Sequence, residues 1–219
     1  MFFLLIGLKV LGCILVADFL SGFFHWLEDA YGREDWPITG TLITKPNILH
    51  HHDPRYFTNH SWLYSARVLL VMGTAVLGSA YAFGFLNWMT ILVVMIGVNA
   101  NEIHKWSHRT RSENGSVLNL LQRTGLIQSP KHHHGHHNNQ KNTHYCVITN
   151  YLNPILDGIQ LWPALERLIH RLFGLRRRLD SSLFPSNIAP MVAKDTHPYR
   201  HLAESEGRNE PYGGSAPTV

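Results

Sequence analysis

From Phe2 to Trp26 the chain is almost wholly apolar, long enough to cross a bilayer as a helix, which takes roughly 20 residues. A second apolar run covers about Tyr64 to Phe83, and a third runs from Trp88 to about Ile103 after the short turn Gly84-Phe85-Leu86-Asn87. Backbone polar groups inside lipid must bond to one another, and a helix does this within one segment. The expectation is therefore an all-α, integral membrane helical protein with about three transmembrane helices. The first run lacks the basic start and A-x-A cleavage site of a secretory signal peptide. Lys9 and Asp18 lie inside it, and charges at membrane depth usually face a protein interior. Asp18, Gly22, His25 and Asp29 follow one helical face at spacings of four, three and four, so this stripe is expected to point inward.

The spans sort the histidines. The first run ends at His25, and the loop from Gly32 to Leu63, which carries His50, His51 and His52, stays on that side. The hairpin goes out and returns, bringing back His104 and His108, and Lys131 to His137 follows with five histidines in seven residues. All the histidine sets then share one face of the membrane, as a helical cap. By this topology every Lys and Arg but Lys9 lies on the same side, and the positive-inside rule makes that side cytoplasmic.

Imidazole is the commonest side-chain metal ligand. His104 and His108, at i and i+4, can face one ion, and His25 with Asp29 repeats the spacing with a carboxylate. His133, His136 and His137 form H-x-x-H-H, and His132 extends the block. His50 and His51 precede Asp53-Pro54, where a helix should end. One zinc takes three or four ligands, so about nine imidazoles and one carboxylate fit two metals better than one. Histidine count alone does not choose among Fe, Zn, Cu and Mn, although nitrogen-rich sites with a carboxylate suit iron. Plainer readings exist: an adventitious tract at 131–137, a satisfied polar His104, and a capping pair at His25 and Asp29. The shared side favours ligation. His52 and His134 read as neighbours of ligands, His170 as solvated, and His197 and His201 as tail residues. His60 and His144 are open.

Two cysteines, Cys13 and Cys146, stand far apart and outside any C-x-x-C, which speaks against a disulfide framework or thiolate zinc site. The net charge of +4 does not point to nucleic acid, because no stacking or groove-reading motif accompanies it. An anionic membrane surface is the better partner. Trp162 to Leu179 reads as an amphipathic segment, either lying in the interface or closing the cap. Residues 1–184 are taken as one domain and 185–219 as a loose tail. No G-x-G-x-x-G or C-x-x-C-H is present, so electrons for any redox step must come from outside.

Several stretches together resemble the CarF-like lipid desaturase family, which includes the plasmanylethanolamine desaturases. They are Asp18-Phe-Leu-Ser-Gly-Phe-Phe-His25-Trp with Asp29, Pro37-Ile-Thr-Gly40, and His50-His51 with Asp53-Pro54. Asn101-Glu-Ile-His104-Lys-Trp-Ser-His108, Leu121-Gln122, and Lys131-His132-His133 with His136-His137 follow. Tyr145-Cys146 and Leu152-Asn153-Pro154 complete a match over about residues 17 to 160. The resemblance implies a membrane enzyme with a histidine-held di-iron centre that uses O2. It also implies a membrane lipid substrate and an external donor, cytochrome b5-like or ferredoxin-like with its reductase. By family motif, His104 and His108 form the first histidine box, and His133, His136 and His137 the second. His25, Asp29, His50, His51 and His132 fall on shared positions. Lys141 stands near where animal relatives are expected to have a histidine, and retention of His132 leans towards the plasmanyl branch. The leading expectation is a plasmanylethanolamine desaturase forming a vinyl ether. The alternatives are a di-iron glycerolipid acyl desaturase or hydroxylase, and a non-enzymatic metal-binding or transport protein. A transporter should line its midplane with ligands, whereas these histidines sit at span ends.

Overall fold

The computed structural model describes residues 1–138 and 142–179. The expectations placed on Lys141, His197, His201, the 184 boundary and the tail from 185 lie outside the described residues. The described chain is all-helical: α1 Phe2–Tyr31, α2 Lys45–His52, α3 Trp62–Ala82, α4 Trp88–Val98, α5 Ala100–Ser107, α6 Arg111–Arg123, α7 Pro130–Asn138, α8 Leu152–Gly158 and α9 Leu161–Phe173. No strand occurs among the described residues.

Two helices, α1 and α3, are long and apolar enough to cross a membrane. At 1.5 Å per residue, the 30 residues of α1 run about 45 Å. Leu8, Leu11, Val16, Phe19 and Leu20 are exposed on one side of it, while Cys13, Ala17, Asp18, Gly22, His25 and Asp29 are buried on the other. Ser61 caps α3 by accepting a hydrogen bond from the Tyr64 amide at 3.2 Å. Gly84 takes the left-handed turn after α3 (φ 74°), and Asn87 caps α4 by accepting from the Met89 and Thr90 amides.

The third apolar run is not one straight span. It bends at Asn99, so α4 covers only 11 residues, about 16 Å, and α5 continues separately. Side chains compete with the helix ladder there: Asn99 Nδ2 donates to the Met95 carbonyl at 2.9 Å, and Trp62 Nε1 donates to Asn99 Oδ1 at 2.9 Å. The segment expected as loop after Gly32 also carries structure. It holds a π-helical turn at Gly40–Thr44, the helix α2, and a 3-10 turn at Tyr56–Asn59. α2 ends at His52, immediately before Asp53-Pro54.

The buried extended segment Tyr145–Thr149 holds the cap to α1. It has no ladder partner; the Gln128 amide donates to the Ile148 carbonyl at 2.7 Å, and side chains satisfy much of the rest of its backbone. Asp18 Oδ1 accepts from the amides of Ile148 at 2.9 Å and Thr149 at 3.2 Å, and Ser21 Oγ accepts from Val147 at 3.2 Å. Asn153 accepts from the Cys146 amide and donates to its carbonyl, to which Gln128 Nε2 also donates. An unpaired buried amide costs about 1–3 kcal/mol, so these side chains together are a condition of folding. Gly22 lets the segment approach: a Cβ there would lie 2.9 Å from the Cys146 backbone nitrogen.

α9 divides its apolar stripe. Trp162 is buried against Trp26 and Tyr145, with Leu165 and Ile169 packed beside them, whereas Leu168, Leu172 and Phe173 are exposed. It therefore closes the cap along one edge and leaves the other free for an interface. Replacing Asp18 by Ala strands two buried amides, each costing about 1–3 kcal/mol. Asp18→Ala is expected to lower the melting temperature of the solubilised protein sharply. Asp18→Asn, which keeps an acceptor oxygen, should lose less.

Candidate metal centre

Four helical segments deliver ligand-type side chains to one buried place. α1 brings His25 and Asp29, α2 brings His50 and His51, the end of α5 brings His104 and His108, and α7 brings His133, His136 and His137. These nine side chains form two groups. One is His50, His104, His108, His133 and His137; the other is His25, Asp29, His51 and His136. Within each group the ligand atoms lie within 4.8 Å of one another.

Helix geometry explains the sorting. Pairs at i and i+4 share a helical face, so His104 with His108, His133 with His137, and His25 with Asp29 each enter one group. Adjacent residues differ by about 100° around a helix. The doublets His50-His51 and His136-His137 therefore split, each giving one imidazole to each group. The groups abut: the His25 and His104 rings are 5.5 Å apart, and those of His51 and His137 are 5.6 Å apart.

In the all-histidine group, Nε2 of His104 lies 2.8 Å from Nε2 of His133 and 3.3 Å from that of His108, and His137 Nε2 is 3.1 Å from His133 Nε2. In the other group, His51 Nε2 and His136 Nε2 each lie 3.4 Å from an Asp29 oxygen, and His25 Nε2 lies at 3.9 Å. Metal–nitrogen bonds of about 2.1 Å give an octahedron with edges near 3.0 Å, so these spacings fit a cation at each centre. The nitrogens have little else to bind. Both ring nitrogens of His50 and Nε2 of His25 are buried without a hydrogen-bond partner. Burial first, and neighbouring imidazoles second, hold His50 and His133 well below the ordinary histidine pKa and bring His108 down to about 3. Those rings are neutral at pH 7, the state that ligates metal.

Outer contacts set the tautomers. His25 Nδ1 lies 3.1 Å from the Tyr145 carbonyl and His136 Nδ1 lies 2.7 Å from that of Thr143. With a proton on Nδ1 donated to each carbonyl, the Nε2 lone pair faces the group. Asn47 Nδ2 donates to Asp29 Oδ1 at 2.6 Å. The motifs include Tyr145 without giving it this role and pass over Thr143 and Asn47, although Asn47 and His51 share a face of α2 at i and i+4. Phe57 was also missed. It packs its ring on His50, His104 and His108 at 4.6, 5.0 and 5.6 Å and so covers one side of the all-histidine group.

Nine of the ten sequence-expected ligands converge here; His132 does not. It lies about 100° around α7 from His133. Its Nε2 is 3.1 Å from Asn153 Nδ2, and its ring packs on His144. His144 turns to Asp157, with Nδ1 at 3.3 Å from its carboxylate. His60 stacks on Tyr64 at 4.2 Å and accepts from Lys105 through its carbonyl, outside both groups. His52, His134 and His170 are exposed.

Residues 14–180 match the lipid desaturase domain. The chain is 34% identical over 196 residues to plasmanylethanolamine desaturase 1 of Mus musculus, covering 84% of this chain and 72% of that protein. It is 32% identical over 188 residues to plasmanylethanolamine desaturase of Myxococcus xanthus, covering 81% of this chain and 64% of that protein. With the chloroplastic fatty acid desaturase 4 of Arabidopsis thaliana it shares 30% identity over 171 residues, covering 75% of this chain and 51% of that protein. No solved structure matches the chain. The domain match spans both ligand groups and the helices that carry them, and the chain belongs to the lipid desaturase family.

Proposed function

We propose that this chain is a di-iron lipid desaturase that removes two hydrogens from a membrane lipid chain, and that its substrate is an ether-linked alkyl chain of the plasmanylethanolamine type. The observation carrying this reading is the pair of abutting buried ligand groups at the end of a membrane-crossing helix. Eight imidazoles and one carboxylate are a donor set suited to iron. Relatives named plasmanylethanolamine desaturase support the ether-linked substrate.

The overall change breaks two C–H bonds and forms one C=C bond. O2, two electrons and two protons leave as two waters together with the two substrate hydrogens. The irons, when bound, supply the oxidising power. The protein does the rest. Asp29 offers the one carboxylate of the second group, and Asn47 holds one of its oxygens. The Tyr145 and Thr143 carbonyls keep the Nε2 atoms of His25 and His136 turned inward. Phe57 keeps water from one side of the all-histidine group. His108 and His137, the two half-buried ligands, mark its more open side. The lipid enters laterally between the spans, and a cytochrome b5-like or ferredoxin-like donor supplies electrons from the same side. We assign the histidine groups to the cytoplasmic face of a multi-pass protein, with residues 1–184 as the catalytic domain.

Lipidomics of host cells with and without the chain, including acid lysis to reveal vinyl ethers, tests the reaction. New vinyl ethers are expected; a hydroxylated lipid with no new double bond would overturn the desaturase reading. His133→Ala is expected to abolish the product, and its full retention would remove the histidine block from catalysis. Asn47→Ala should lower activity about 10–100-fold, the usual effect of losing an outer-shell partner. His132→Ala, outside both groups, should leave bound metal unchanged when metal is counted against protein.

A further inference from the structure

At the far end of α1 from the histidines, a groove of about 530 Å³ opens between α1, α3 and α4. Its walls are Cys13, Val16, Val76, Val93 and Val94, and Gly12 widens it on the α1 side. Lys9 stands at its mouth, exposed and with no ion pair among the described residues. It is the only Lys or Arg before Arg33. The N-terminus of α4 borders the same mouth, with its Met89 and Thr90 amides taken up by Asn87 Oδ1, which leaves Lys9 as the cation there.

We propose that this groove binds one phospholipid of the leaflet opposite the histidine groups, with the phosphate at Lys9 and one acyl chain along the valine wall. Depth supports this. Lys9 lies 16 residues before His25 on α1, about 24 Å along the axis and roughly 6 Å short of the ~30 Å hydrocarbon core, a gap that the lysine stem spans by reaching out to the headgroups. Charge complementarity supports it as well: a lone ammonium above an apolar channel matches an anionic head on an apolar tail. The substrate chain is the other apolar occupant to consider, and packing separates it from the groove. Ala17 of α1, Ala100 and Ile103 of α5, and Val147 and Ile148 of the extended segment form a buried cluster, against which Val93 of the groove wall packs on the side of the histidines. The hydrogen bonds of Asp18 to Ile148 and Thr149 seal that layer. This inference rests on the membrane setting of α1, α3 and α4, and not on the reaction.

Native mass spectrometry of the purified full chain in detergent, with dioleoylphosphatidylglycerol added, tests it. Wild type is expected to retain one lipid. Lys9→Gln should weaken retention about fivefold, in line with the loss of one cation at an anionic surface. Gly12→Leu should abolish it by filling the groove, and it should still fold, because a Cβ at Gly12 meets nothing within 4 Å. Phosphatidylcholine should bind more weakly than phosphatidylglycerol. Equal retention by all three proteins would overturn the proposal. So would a shift in the chain length of the reaction product in Gly12→Leu, which would place the substrate there. His104→Ala, which disrupts the metal groups, should leave lipid retention unchanged, so failure of the catalytic reading and failure of this one are distinguishable.

Discussion

Eight imidazoles and one carboxylate share a buried space in which six of their polar atoms, both ring nitrogens of His50 among them, reach no hydrogen-bond partner. Removing such groups from water is costly unless something satisfies them. Cations bound at the two groups would meet that demand. The remaining architecture arranges four helical segments so that their ligand atoms meet. α1 supplies a long rigid rod with two ligands at one end, α2 and α7 each supply a split doublet, and the bend at Asn99 sets off α5 as a separate helix carrying His104.

The second demand is backbone satisfaction at depth. The extended segment Tyr145–Thr149 passes beside α1 and provides the carbonyl that orients His25, and nearby Thr143 provides the one for His136. It stays there because Asp18, Ser21, Gln128 and Asn153 take up its amides and carbonyls. Asp18 thus accounts for a charge inside an apolar run without any direct part in ligation. Site and scaffold are coupled through this segment, since the bonds that keep it in place also position the Tyr145 carbonyl that sets the His25 tautomer.

Much of the site was legible in the sequence because helical periodicity is local. The Asp18, Gly22, His25 and Asp29 face and the i, i+4 histidine pairs follow from counting residues. The H-x-x-H-H block follows likewise, and the grouping of His104 with His108 needs nothing more. Other features depend on contacts between segments distant in the chain. Nothing local tells that His50 and His51 serve different groups, because that depends on where α1, α5 and α7 lie around α2. His132 looked equivalent to His133 in sequence, and the direction of α7 separates them. The bend at Asn99 was hidden inside an apolar run, since the Asn99 side chain that competes with the ladder at Met95 is held there by Trp62 of α3. Of α2 only the end before Asp53-Pro54 was legible, because its histidine-rich sequence carries little apolar periodicity.

The two-group arrangement is tested most directly by counting metal. The purified full chain, loaded anaerobically with ferrous iron and freed of excess, is expected to hold two irons. A double variant lacking His51 and His136 keeps the all-histidine group whole and is expected to hold one. One iron or none in the wild type, or two in the double variant, would contradict the assignment of separate ions to the two groups.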